Sequence, residues 1–172
     1  EGQGSRQWPT ARRFMYRHPA AFHRLQEMLV AALGPYLRAQ VEAGAQAVQI
    51  FDSWVGMLTE ADYREFVLPH LQDLVAQVPE GAPVICFGTH TAHLAEAIAA
   101  SGCDVLGLDH TTDLAATWDR LGGGAHISIQ GNLDPAALLA DDHRLRIMAE
   151  RVLDAAAGRP GFVFNLGHGV CK

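Results

Sequence analysis

Five short apolar runs, each ending in a polar or glycine-rich cluster, limit what this chain can fold into. They are AVQIFDS at 47–53, PVICFG at 83–88, DVLGLD at 104–109, HISIQG at 126–131 and GFVFNLG at 161–167. Apolar residues in them are nearly continuous instead of alternating with polar ones. That is the mark of strands covered on both faces, as in a parallel sheet. Stretches with helical spacing fill the intervals, which parallel neighbours need for their crossovers. Strand and helix alternate five times, so the class is α/β.

The helices are read from their periodicity. Residues 19–43 carry Phe22, Leu25, Leu29, Ala32, Leu33, Leu37 and Val41 at helical spacing, with Gly44 as the stop. A second helix starts at Thr59 as N-cap with Asp62 three residues on, and Pro69 inside it predicts a kink or a split. Further helices are expected around 93–100, 113–121 and 142–157. Gly122, Gly123 and Gly124 read as a turn, and GNLDP at 131–135 as a turn in which Pro135 opens a helix. No repeat, low-complexity tract or linker divides the chain, so one domain over 1–172 is expected.

Two architectures suit this pattern. A (β/α)8 barrel takes about 200 residues or more, and these 172 residues hold only five βα units. The strand ends favour a partial (β/α)8 TIM barrel all the same. Asp52-Ser53, Gly88-Thr89-His90, Asp109-His110, Gln130-Gly131-Asn132 and Asn165-Leu166-Gly167-His168 all follow apolar runs. In a barrel these ends converge on one face, whereas in an open sheet they spread along an edge.

A net charge of -6 disfavours sequence-independent nucleic-acid binding, which needs clustered cations. No run of about 18 apolar residues exists, so no membrane span is expected. The first residues lack the apolar core of a secretory signal. Cys86, Cys103 and Cys171 are odd in number, widely spaced and without CxxC, which argues against a disulfide framework and for the cytoplasm.

Candidate chemistry gathers at the strand ends. Asp52 and Ser53 either satisfy nearby backbone in a helix-entry loop or form a donor set aimed at a substrate carboxylate. DSWVG is not the GxSxG elbow of a serine nucleophile. His90, His93, His110, His168 and the cysteines supply soft metal ligands, but no set of them has tight ligand spacing, so no metal is expected. Gly131 permits a positive φ or a close approach, and Asn132 either caps locally or lines the pocket. His168 sits between two glycines, where an imidazole can both donate and accept. GGGAH lacks the Lys-Ser/Thr of a phosphate loop and precedes a strand.

Taken in order, EGQGS, AVQIFDSWVG, YREFVLPHLQ, GLD followed by TDL, QGNLDP and FNLGHG resemble the uroporphyrinogen decarboxylase family over almost the whole chain. QGNLDP, FDSWVG and NLGHG are specific in combination, though no one of them is alone. The resemblance implies a cofactor-free (β/α)8 barrel, homodimeric in its complete form. It implies removal of carbon dioxide from the four acetates of uroporphyrinogen III, a tetrapyrrole, to give coproporphyrinogen III.

Family chains are about twice this long by the same resemblance, so this one reads as the C-terminal half of a barrel, truncated at both ends and inactive alone. The family's carboxylate-binding arginines, its pyrrole-binding aspartate and the tyrosine before EGxGS then lie outside it. Two family substrate contacts fall inside. The FDS serine maps to Ser53 and the NLGHG histidine to His168, both facing substrate carboxylates, with the flanking glycines making room for the tetrapyrrole.

Some positions depart from the family pattern. Thr89-His90 stands where many bacterial members carry Lys-Gly, His110 where many carry Trp, Gln3 where EGGGS has Gly, and Val170-Cys171-Lys172 where Ile-Leu-Pro is usual. Superfamily relatives that move methyl groups between corrinoid proteins and thiols bind zinc through His-x-Cys and a later Cys. Here the matching loop reads His90-Thr91-Ala92, with alanine in the cysteine's place. A non-catalytic partial barrel is the other alternative.

Overall fold

The computed structural model describes residues 7–124 and 127–171. Gln3 and the rest of EGQGS, the Ala125-His126 step and Lys172 lie outside the described residues. Five strands form one sheet: β1 (Val48–Phe51), β2 (Val84–Phe87), β3 (Val105–Gly107), β4 (Ser128–Leu133) and β5 (Phe162–Leu166). Every pairing is parallel, and the spatial order is the chain order, β1-β2-β3-β4-β5. A doubly wound sheet reverses direction part-way along its strand order. This one does not, which is the order of a barrel wall.

The sheet is curved. Gln49 of β1 and Gln130 of β4 meet side chain to side chain, with Nε2 of Gln130 3.2 Å from Oε1 of Gln49. Three strand spacings in a flat sheet would hold these strands roughly 14 Å apart. Two glutamine side chains bridge that gap only across a concave face. Register puts Gln49, Phe51, Phe87, Gln130 and Val163 on this face.

The convex face carries Val48, Ile50, Val84, Cys86, Leu106, Ile129 and Phe162, which pack against helices in one apolar core. Full burial of each such aliphatic side chain contributes roughly 1.5–3 kcal/mol. Trp118, fully buried, donates its indole N–H to the Ile127 carbonyl at 3.1 Å, and the Arg159 guanidinium lies 4.5 Å from its ring centroid.

Seven α-helices are described: α1 (Pro9–Arg17), α2 (Pro19–Glu42), α3 (Glu60–Phe66), α4 (Leu68–Val75), α5 (Ala95–Ala99), α6 (Leu114–Arg120) and α7 (Asp142–Ala156). Thr59 caps α3, accepting the Asp62 N–H at 3.1 Å and donating its hydroxyl to the Asp62 carboxylate at 2.8 Å. The expected split occurs at Val67, and Pro69 sits in the first turn of α4, where its missing N–H has no intrahelical partner to lose.

One expectation needs correcting, and α1 has no counterpart in the sequence reading. The Leu25, Leu29 and Leu33 stripe of α2 is substantially exposed. Gly131, Asn132 and Leu133, read as a turn, are the last residues of β4 and pair with Phe164, Asn165 and Leu166. Only Asp134 and Pro135 turn the chain: Asp134 accepts the Ala136 N–H at 2.8 Å, ahead of a 3-10 turn at Pro135–Leu139.

Candidate active site at the strand ends

All five strands point their C-terminal ends the same way, so the loops after them form one rim. Ser53 follows β1 and is half-buried; its carbonyl accepts the Thr89 hydroxyl, tying the β1 exit to the β2 exit. Gly56 permits this contact, because a Cβ there would fall 2.2 Å from the Thr89 carbonyl oxygen and 2.5 Å from that of His90.

Asp109, after β3, organises the rim. Its side chain is almost fully buried and accepts the His90 backbone N–H at 2.5 Å, the Thr111 hydroxyl at 2.9 Å and the Thr112 hydroxyl at 2.8 Å. Burial alone would raise its pKa. The His90 N–H and the two hydroxyls outweigh that and hold it below the usual carboxylate range. Asn132 donates its side-chain amide to the carbonyls of Asp109 (2.9 Å) and Thr112 (2.7 Å), so it braces the β3 exit instead of lining a pocket.

β5 leads into Gly167-His168-Gly169. The Gly167 N–H bonds the Leu133 carbonyl at 2.8 Å, and a Cβ on Gly167 would fall 2.2 Å from the His110 backbone nitrogen. The room expected for a ligand at this glycine is therefore taken by the chain's own β3 exit. Gly169 has open space beside it. His168 is exposed.

Ser53 and His168, from opposite ends of the five-strand wall, line the same cavity. It has a volume of about 460 Å³, and Gln49, Phe51, Phe87 and Asn165 complete much of its surface. A second cavity, about 330 Å³, lies behind β1 against α2 and α4 and takes in Asp52, Tyr63 and Cys86 but neither Ser53 nor His168. Asp52 thus parts company with Ser53. Crowding by apolar neighbours pushes its carboxyl up to about 6, although one side of it remains open to solvent.

Of the histidines and cysteines weighed as metal ligands, Cys86 and Cys103 are neighbours and the others lie apart from them. His93 meets the Leu58 carbonyl at 2.8 Å, His90 lies by Asp109, and Cys86 and Cys103 are buried in the core. Among the described residues, no three His, Cys, Asp or Glu side chains come together as a ligand set. The organising role of Asp109 escaped the sequence reading, although threonines two and three residues after an aspartate are a pattern for local side-chain hydrogen bonding.

The model of the family described as uroporphyrinogen decarboxylase (URO-D) matches residues 1–172. The chain belongs to the uroporphyrinogen decarboxylase family. Curated relatives of that name include one from Chloroflexus aurantiacus, 47% identical over 175 residues, covering 99% of this chain and 49% of the relative. One from Thermus thermophilus is 48% identical over 171 residues, with coverage of 99% and 49%. The chain thus spans about half the length of the uroporphyrinogen decarboxylases it matches. Among solved structures, a methyltransferase from Methanosarcina mazei superposes with TM-score 0.79 at 16% identity, covering 91% of this chain and 47% of that one. That likeness concerns the fold alone.

Proposed function

We propose that the whole protein carrying this chain decarboxylates the four acetate side chains of uroporphyrinogen III to give coproporphyrinogen III, and that this chain supplies Ser53 and His168 as substrate contacts. The observation that carries the reading is the shared cavity: a hydroxyl and an imidazole, brought from β1 and β5, line one hollow at the strand ends. Its volume is in the range of small-molecule pockets.

The substrate bears eight carboxylates and four pyrrole N–H groups. Each decarboxylation follows protonation of the pyrrole ring. The C–C bond to the carboxylate then breaks, carbon dioxide leaves, and the electron pair enters the cationic ring. A proton adds to the exposed methylene and the ring proton is lost, leaving a methyl group. The ring is its own electron sink, so the protein's task is to hold carboxylates and stabilise developing charge. Ser53 donates a hydroxyl hydrogen bond, and His168 an imidazole N–H, to carboxylates of the substrate.

In this reading residues 1–172 are a single domain, an arc of a barrel cut at both ends. The arginines and aspartate that the family uses lie in the other half. The whole enzyme is a cytoplasmic homodimer that uses no cofactor or metal. Ala92, in place of a zinc-binding cysteine, weighs against the methyl-transfer alternative.

Coproporphyrinogen formation from uroporphyrinogen III is the test. The whole protein turns it over. Ser53→Ala and His168→Ala each lower kcat/KM about tenfold, the scale of one hydrogen bond to a charged group. No turnover by the folded whole protein, or full activity in both variants, rejects the assignment.

A further inference from the structure

His90 is out of place by backbone geometry. Its φ is +56°, in the left-handed region, where glycine is the default residue and a side chain is strained. The position is not a loose excursion. Gly56 packs its backbone against the His90 carbonyl, and Asp109 receives the His90 N–H at 2.5 Å. The conformation is thus clamped from both sides, and an imidazole is placed on it.

The ring is presented outward. Its Nδ1 lies 3.5 Å from the Thr111 hydroxyl oxygen and 3.7 Å from an Asp109 carboxylate oxygen. Thr111 already donates its hydroxyl to Asp109, so oxygen lone pairs face Nδ1 and the ring turns N–H toward them. The His90 side chain is 69% exposed and sits on the β2 exit, between the β1 exit that carries Ser53 and the β3 exit.

We propose that His90 is a third carboxylate-contacting residue contributed by this chain, engaging one side-chain carboxylate of the tetrapyrrole through Nε2–H. The inference rests on the tetrapyrrole reading above. With Nδ1 facing the Thr111 hydroxyl and the Asp109 carboxylate, Nε2 is the nitrogen left for the substrate.

The test uses the whole protein, with uroporphyrinogen III as substrate and uroporphyrin as a non-reacting octacarboxylate probe. His90→Gly relieves the strain and deletes the ring. His90→Asn tolerates the same backbone and removes the imidazole. Expected for both are a KM three- to tenfold higher, kcat within twofold, and matching weakening of uroporphyrin binding that shrinks in 0.5 M salt. The melting temperature of His90→Gly is expected to be equal or higher. A merely structural role would move stability and leave the salt dependence alone. If the wild type binds uroporphyrin and both variants bind it equally well, the His90 proposal fails and the tetrapyrrole reading stands. If the wild type neither binds uroporphyrin nor turns over uroporphyrinogen, the tetrapyrrole reading fails and His90 falls with it.

Discussion

Two aspartates, at the exits of β1 and β3, have pKa values shifted in opposite directions. Asp109 has a lowered pKa, so its stabilising effect is present above the unfolded carboxylate value, near 4, and drains away as pH falls through the folded one. Asp52 is raised to about 6, so folding favours its neutral form. It costs nothing well below pH 4, and its cost grows as pH climbs from there through 6. Asp52→Asn is therefore expected to raise the urea midpoint at pH 7.5 relative to wild type and to leave it unchanged near pH 3. A variant less stable than wild type at pH 7.5 would mean that the carboxylate has a partner worth keeping. At this scale the sequence was partly readable. Thr59 announces its cap because cap and acceptor are three residues apart. Asp109 does not announce its role, because its key donor, His90, is nineteen residues away in sequence and reaches it only through sheet pairing.

Helices and strands were legible where burial follows period and obscured where it does not. α3 and α4 keep Tyr63, Phe66, Leu68 and Leu74 buried, and Pro69 marks their junction. Thr59→Ala is expected to cost about 1 kcal/mol of stability, by loss of the cap, with little change in the rim chemistry. Chemical denaturation measures it, and an unchanged midpoint would show that water replaces the hydroxyl without loss. α1 is hard to read from the sequence because it is short and Met15 is its one buried residue, while Phe14 and Tyr16 are only partly covered by Phe22 and Phe66. β4 was cut short because Gly131 and Asn132 look like turn residues. Here they serve the strand. Gly131, at φ +147°, lets β4 approach the Leu108 carbonyl, where a Cβ would sit 2.9 Å away, and the Asn132 amide reaches the next loop. α2 and α4 are also joined by His23 Nδ1 and His70 Nε2 at 2.9 Å, a pair that no local pattern reveals.

Seen whole, the molecule is a curved parallel wall whose outer core is filled and whose inner side is not. Phe51 is 67% exposed on the concave face, and β1 and β5 have no further strand beside them among the described residues. Unpaired strand edges next to exposed aromatic surface favour association. Purified alone, residues 1–172 are expected to elute in size exclusion above the mass of one chain and to show no decarboxylation. A sharp monomer peak would show that the wall closes or shields itself. The α/β class and the parallel order could be read from five apolar runs and their polar tips. Ring closure could not, since the described residues form five strands in an open order.

The Gln49–Gln130 contact is a chord drawn across an arc. An arc and its chord define a circle, so two amide side chains already prescribe the radius at which any completing strands must join. A partner half built to a different radius would have to break that chord before it could dock.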